Sequence, residues 1–407
     1  MSEKLAYRKI ENAGITLVQG IQAAAVHCGL KKRKLDLALV YSSRDCAAAG
    51  VFTRNRVQAA PVRLCRKAIA GPIRALVVNS GNANACTGEA GMQNARRMAA
   101  LAAASLGLSP AQVLVCSTGV IGQQLPMELV ERGIARAAEA LSGERKAGRA
   151  AARAILTTDT VAKEVAYRGT YGGATFHLAG MAKGSGMICP DMATMLAFLF
   201  TDLAIPRPLL QRLFREAVDR SFNLITVDGD TSTNDTALIL ANGAAGAPEI
   251  TPGSEACRAF AELLEEACRD LAYQIVADGE GVTKVITLTL QGAPDPLSAR
   301  ILARAVLNSP LVKTAFYGED ANWGRILAAL GYAGVDFDPS RVDIYLGPVQ
   351  VAAGGEAVPF SESEARAVLQ QKEVPVLVRL NAGSCSLTAW GSDLSHNYVT
   401  INSSYRS

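Results

Sequence analysis

A mixed α/β (α+β) fold is the class this sequence predicts, and three observations predict it. Apolar runs of strand length, such as residues 35–41 and 74–79, alternate with alanine-rich stretches of helical period such as residues 92–106. Hydrophobic residues make up 49% of the chain and charged residues 19%, the balance of a polypeptide that folds on a large apolar core. At 407 residues the chain is long enough for two domains or one very large one.

The elements follow in order. The runs 35–41 and 74–79 read as strands that enter loops, and the second opens into N79-S-G-N-A-N-A-C-T-G, too rich in Gly and Asn to begin as helix. Residues 92–106 read as a helix and residues 111–116 as a strand running into Ser117-Thr118-Gly119. Further helices are expected over 127–141, 207–222 and 257–273, the second with Leu210, Leu213, Phe214, Ala217 and Val218 along one side. Strands are expected over 285–290, 342–346 and 376–380, and the polar tail 393–407 reads as a frayed end.

Charge and residue types exclude several functions. Forty-one basic against 37 acidic residues leave a net charge of +4, too small for its size to argue for nucleic acid. The run Lys31-Lys32-Arg33-Lys34 lacks interleaved aromatics and reads as a solvated turn. The first fourteen residues have no apolar signal core and no later segment makes a membrane span, so a cytoplasmic protein without membrane partners is expected. Nine cysteines stand singly without CxxC, and three histidines form no HExxH array. Neither a metal nor a Ser-His-Asp triad is supported, no cofactor is expected, and a nucleophile must find its base elsewhere.

One stretch organises the rest. Met181 to Asp202 passes from Lys183, Gly184 and Gly186 through Pro190 to Ala193-Thr194 and then an apolar run from Met195 to Phe200. A flexible approach, a proline and a hydroxyl residue heading an apolar segment place Thr194 where a loop enters the core. Its hydroxyl can attack the Ala193 carbonyl, and the freed α-amine can then act as base for that hydroxyl. A buried strand that starts with a β-branched residue is the plain alternative. Elsewhere, a strand ending in Ser-Thr-Gly can aim a hydroxyl and successive N–H groups at one point. Thr157, Thr158 and Thr160 offer hydroxyls or caps, Glu280 is presented between Gly279 and Gly281, and Asp228, Asp230 and Asp235 fit turn capping better than a calcium loop.

The motif K183-G-S-G-M-I-C-P-D-M-A-T194-M-L resembles the cleavage site of the ornithine acetyltransferase family, the bifunctional glutamate N-acetyltransferase/amino-acid acetyltransferases of arginine biosynthesis. The resemblance extends over essentially the whole chain. It implies a layered αββα-like fold, self-processed between Ala193 and Thr194 into associated α (1–193) and β (194–407) chains that form an α2β2 heterotetramer, with the cut inside a folded unit. Thr194 becomes the acetyl-carrying nucleophile, while Thr118, by its side chain, and Gly119, by its backbone, form the oxyanion hole. Substrate contacts fall on Thr157, with Thr158 as the neighbouring register, and on Lys183, Thr194, Glu280, Asn402 and Ser407, where serine replaces the commoner threonine. Asn234 and Asp235 hold a loop near the site, the polar residues of 308–325 rim it, and Arg325 reads equally as a structural arginine.

The implied reaction moves acetyl from N-acetylornithine to glutamate through O-acetyl-Thr194, with acetyl-CoA as a second donor and no cofactor. Glu280 is left either as an amine contact or as a proton-transfer group. Two other readings stand beside this one: an N-terminal-nucleophile aminopeptidase or amidohydrolase, with water as acceptor, and a non-catalytic binding or assembly protein.

Overall fold

The computed structural model describes residues 5–189 and 195–404 and divides into two compact units. Of the described residues, the first unit holds those up to Gly184 with 195–223 and 230–275, and the second holds 185–189, 224–229 and 276–404.

In chain order the first unit contributes β1 (Ala6–Lys9), β2 (Ile21–Val26), β3 (Leu37–Phe52), β4 (Ile73–Asn82), β5 (Val113–Val120), β6 (Lys163–Tyr171), β7 (Ala174–Lys183) and β8 (Leu196–Thr201). The short β9 (Ile225–Thr226) belongs to the second unit, and β10 (Thr236–Ala241) returns to the first. The strands run β1-β6-β7-β8-β10-β3-β4-β5, with β2 also on β3. The long β3 makes two layers from this one path. Its residues 37–42 pair with β2 and its residues 37–41 with β4, its residues 47–52 pair with β10, and the β4 register shifts between Tyr41 and Cys46.

Alternation along β3, β4 and β5 is apolar on both faces, as a doubly covered sheet requires. Leu37, Leu39, Ala75, Val77, Val113 and Val115 face the helices Gly88–Leu106 and Met127–Glu139 through Met98, Ala102, Val130 and Ile134. The intervening Ala38, Val40, Leu76, Val78, Leu114 and Cys116 meet Met181, Phe198, Phe200, Leu238 and Leu240 of the other layer. Helices cover that layer's outer side. Gln211 of the helix Arg207–Asp219 exchanges hydrogen bonds with the backbone of Gly50, and Gly180 lies where a Cβ would stand 3.2 Å from Leu271 of the helix Glu255–Ala277. Helix, sheet, sheet and helix therefore stack in the first unit, the layering that the resemblance implies.

The second unit is built on β11 (Val285–Ala293), β12 (Asp343–Leu346), β13 (Val349–Ala353), β14 (Glu356–Ala357), β15 (Glu373–Arg379) and β16 (Cys385–Ser392), ordered β14-β13-β12-β15-β11-β16-β9. The helix Pro296–Asn308 starts on an Asp295 cap that accepts from Leu297 N and Ser298 N, with proline at the first helical position. It packs on β16 closely enough that a Cβ at Gly391 would lie 2.9 Å from Leu307.

Two expectations are corrected. The tail is not frayed over its described part: Ser395 accepts from Tyr398 N and caps a helix, His396–Ser403. Nor is the basic run wholly solvated, for Lys32, Arg33 and Lys34 are exposed while Lys31 is half-buried with its ammonium on two backbone carbonyls. Composition records polar residues in both places and is blind to the cap and the carbonyls that receive them.

The glycine-rich turn expected from residue 79 begins later than composition suggests. β4 continues to Asn82 because β5 continues beside it to Val120, and the two strands touch at Gly81 and Gly119. Gly119 has φ +133°, and a Cβ there would sit 2.3 Å from the Gly81 carbonyl carbon. Gly119→Ala is expected to lose about 3 kcal/mol or more of stability, read as a lower urea midpoint.

Candidate active site

Buried amides fix the strand end that carries Thr118 and Gly119. Ser117 Oγ donates to Asn79 Oδ1 at 2.5 Å, Asn79 Nδ2 donates to Asn82 O at 2.8 Å, and Asn82 Oδ1 accepts from Asn84 N at 2.8 Å. Asn234 Nδ2 reaches in from the segment before β10 and donates to Ala83 O at 2.6 Å and Ser117 O at 2.8 Å. Thr118, next to Ser117 on this strand end, is 6% exposed. A satisfied network of this kind holds a loop in one conformation, the holding role the resemblance implies for Asn234.

A second cluster forms where the turn after the helix Arg145–Ala154 meets the end of β7. Asp159, fully buried, accepts Lys163 Nζ at 2.5 Å and Gly184 N at 2.7 Å on one oxygen and Thr157 N at 2.9 Å on the other, with Lys183 Nζ 3.9 Å away. Burial works to raise its carboxyl, but the charges of Lys183 and Lys163 and the donated hydrogen bonds together hold it well below the usual carboxylate range. The structure thus brings Thr157 and Lys183 to one carboxylate. Thr157 Oγ1 lies 3.5 Å from Asp159 Oδ2.

Ala193 and Thr194, the expected cleavage pair, lie outside the described residues, as does Ser407. The residue after Thr194 is well anchored: Met195 N donates to Asp235 Oδ1 at 2.9 Å, and β8 then pairs in parallel with β10 from Leu196 opposite Thr236. Asp235 is fully buried, and burial pushes its carboxyl well above the ordinary range, with the Met195 amide pulling the other way.

The second unit assembles its own polar group. Glu280 is 7% exposed; its amide donates to Ser185 O at 2.9 Å, and its Oε2 accepts Asn402 Nδ2 at 2.8 Å. A Cβ at Gly186 would lie 2.3 Å from that oxygen, so only glycine admits the carboxylate so close to the backbone. Ser395 Oγ donates to Gly281 O at 2.5 Å, which ties the cap of the His396–Ser403 helix to the turn beside Glu280. Asp228 accepts Met187 N at 2.5 Å and Ile188 N at 2.8 Å, and Tyr398 Oη donates to the same carboxylate at 3.3 Å. Asp228 and Asp235 thus accept backbone amides about 40 residues earlier in the chain, where turn capping by their own segment was expected. Arg325 donates to Leu311 O at 2.7 Å and is a structural arginine.

Sequence reasoning placed Thr157 and Lys183 in the site but did not single out Asp159, which joins them. The readable signal was the i, i+4 pair Asp159/Lys163, ordinary on a solvated face and decisive only once both are buried. Asp159→Ala leaves Lys163 buried without this partner and is expected to cost about 3–5 kcal/mol in urea unfolding. Because the folded carboxyl lies below its unfolded value of about 3.9, its contribution is fully present above that pH and is lost as pH falls through the folded value. Unfolding midpoints followed against pH should therefore fall less steeply below about pH 4 in Asp159→Ala than in the wild type.

Residues 22–407 match the ArgJ family. The chain is 54% identical to the arginine biosynthesis bifunctional protein ArgJ of Symbiobacterium thermophilum over 97% of this chain and 98% of that protein. It is 51% identical to the protein of the same name from Geobacter sulfurreducens over 96% and 99%. Among solved structures, it is similar to an ornithine acetyltransferase from Mycobacterium tuberculosis crystallised with ornithine, at 39% identity and TM-score 0.43, over 47% of this chain and all of that one. Over nearly its whole length, then, the chain that carries these clusters belongs to the ArgJ family.

Proposed function

We propose that this protein serves arginine biosynthesis by transferring the acetyl group of N2-acetyl-L-ornithine to L-glutamate, with Thr194 as carrier. The observation that carries the reading is the Ser117–Gly119 strand end, with Ser117 and Thr118 buried and Ser117 held by Asn79 and Asn234, in a chain of the ArgJ family. Such a strand end suits the oxygen of an acyl-transfer intermediate, because its donors are fixed before charge develops.

The chain first opens between Ala193 and Thr194. The Thr194 hydroxyl attacks the Ala193 carbonyl, the peptide C–N bond breaks to leave an ester, and water hydrolyses the ester to free the α-amine. That amine, with an ordinary pKa of about 7.7–8.0, is the base for the hydroxyl beside it.

In transfer, Thr194 Oγ bonds to the acetyl carbon while the amine takes its proton. Thr118 and Gly119 stabilise the oxyanion, the acetyl C–N bond breaks, and the proton leaves on the ornithine amine. Glutamate's amine then attacks the O-acetyl ester, and the Thr194 hydroxyl is restored as N-acetylglutamate departs. Thr157, Lys183, Asn402 and Ser407 recognise the amino-acid groups common to both substrates, and Glu280 faces an amine or relays the proton. The α and β chains remain associated in an α2β2 assembly, and no metal or redox group takes part.

Mass spectrometry of protein quenched after N-acetylornithine without glutamate tests the carrier. A β chain that begins at Thr194 and is heavier by one acetyl group on its side-chain oxygen is expected. Thr194→Ala should stay uncut and inactive; full transferase activity in that variant overturns the mechanism. Consumption of N-acetylornithine that does not depend on glutamate would identify a hydrolase instead. Acetyl-CoA is the proposed second donor, so incubation with acetyl-CoA and glutamate should release CoA thiol. No enzyme-dependent release at saturation restricts the protein to the recycling reaction.

A further inference from the structure

Lys31 belongs by sequence to a basic surface run, yet its side chain is turned inward within the first unit. Asp36, whose side chain is wholly buried, accepts Cys28 N at 2.6 Å, Gly29 N at 3.1 Å and Lys31 N at 3.0 Å, and this folds residues 28–31 into a tight loop. From that loop Lys31 Nζ donates to Leu35 O at 2.9 Å and Leu156 O at 2.6 Å. Leu156 immediately precedes Thr157, whose own amide is held by Asp159. The lysine stem runs over Gly81, where a Cβ would lie 3.3 Å from Lys31 Cγ, and Gly81 is the residue against which Gly119 packs. Ser80 adds a parallel tie, with its amide on Asp36 O at 2.8 Å and its hydroxyl on Ala154 O at 2.5 Å.

We propose that Lys31 is a positioning residue for acetyl transfer: its ammonium holds the Leu156 carbonyl while its stem abuts Gly81, which sets the Thr157 turn against the Thr118–Gly119 strand end. The inference rests on the transfer reading above for its functional consequence. The clamp itself is a matter of geometry. Charge-assisted bonds to two carbonyls fix a peptide more firmly than neutral ones, and Thr157 can recognise a substrate only in the register that this peptide gives it.

The clamp also has a pH limit. The charged groups that act on Lys31 are Asp36 at the start of β3, Lys34 in its own loop, Asp159 in the turn after the helix Arg145–Ala154, and Lys183 at the end of β7. Burial, opposed by Asp36 and reinforced by Lys183, lowers the ammonium to about 8. Below that pH the lysine is charged and the clamp closed; above it the charge is lost and the bonds weaken.

Lys31→Met and Lys31→Arg test this on the full-length, processed protein. In Lys31→Met, hydrogen–deuterium exchange of the amides in 155–163 should accelerate, and KM for N-acetylornithine should rise about tenfold with kcat changed less than about threefold, the scale of one lost charge-assisted bond. Wild-type KM should climb as pH passes about 8, whereas the arginine variant, charged throughout, should lack that climb. Unchanged exchange in Lys31→Met, or faster exchange with unchanged KM, overturns the proposal. So does an alkaline rise in Lys31→Arg equal to that of wild type, a comparison that still decides the matter if the methionine variant fails to fold. Absence of transferase activity in the wild type would instead sink the transfer reading, while the exchange experiment would still report the clamp.

Discussion

The first unit's polar architecture depends on one buried carboxylate. Asp159 sits among groups that would each be costly to bury alone: two lysine ammonium groups, a turn amide before it in the chain and a strand-end amide after it. Removed from water and uncompensated, it would be a severe liability. Paired with Lys163 and Lys183 it is held ionised instead. The consequence is geometric: Thr157, Lys183 and Gly184, separated along the chain by most of β6 and β7, share a single fixed point.

The sheet explains why such a point can exist. Residues alternate on β3, β4 and β5 so that both faces are apolar, and neither face is left to carry polar chemistry. Polar side chains gather where the strands end, and there the buried Asn79, Ser117 and Asn234 satisfy one another and the nearby carbonyls. The change of pairing along β3 allows a single connected strand path to supply two facing layers, so the interior is apolar on one side of these residues and polar at their edge.

How much of this was legible depends on the range over which each signal acts. The helices 207–219 and 127–139 were readable because their apolar positions recur at the helical period, and β11 because its β-branched run follows a glycine turn. The extension of β4 to Asn82 was not, since Asn and Gly read locally as loop and are kept in strand by the neighbouring β5. Thr118, Lys183 and Glu280 were singled out through the family resemblance, whereas the burial of Asp159 and Lys31 had no pointer in the sequence. A carboxylate in a threonine-rich turn and the first of four basic residues carry no local mark of burial, which comes from residues as remote in sequence as Lys183 and Leu156. The inward turn of Lys31 is encoded one step away, in Asp36, whose three accepted amides shape the loop before the lysine's own chemistry matters.

Glycine plays the complementary part in both units, by removing side chains where fixed polar groups need room. At Gly186 the missing Cβ admits the Glu280 carboxylate, and at Gly281 it admits the start of the helix that carries Asn402, whose Tyr398 amide would lie 2.5 Å from a Cβ there. At Gly119 it admits the neighbouring Gly81 strand. In each case the backbone itself is brought against a polar group, and backbone dipoles held by a packed sheet or a capped helix cannot reorient as water does. Donors and acceptors fixed in advance are what an acyl transfer gains most from, since they lower the charged intermediate without first paying to reorganise around it. At Gly119 and Gly281, where a Cβ would meet backbone, the same steric requirement excludes a side chain, so the rigidity of these turns and the close packing that holds the fold are one constraint.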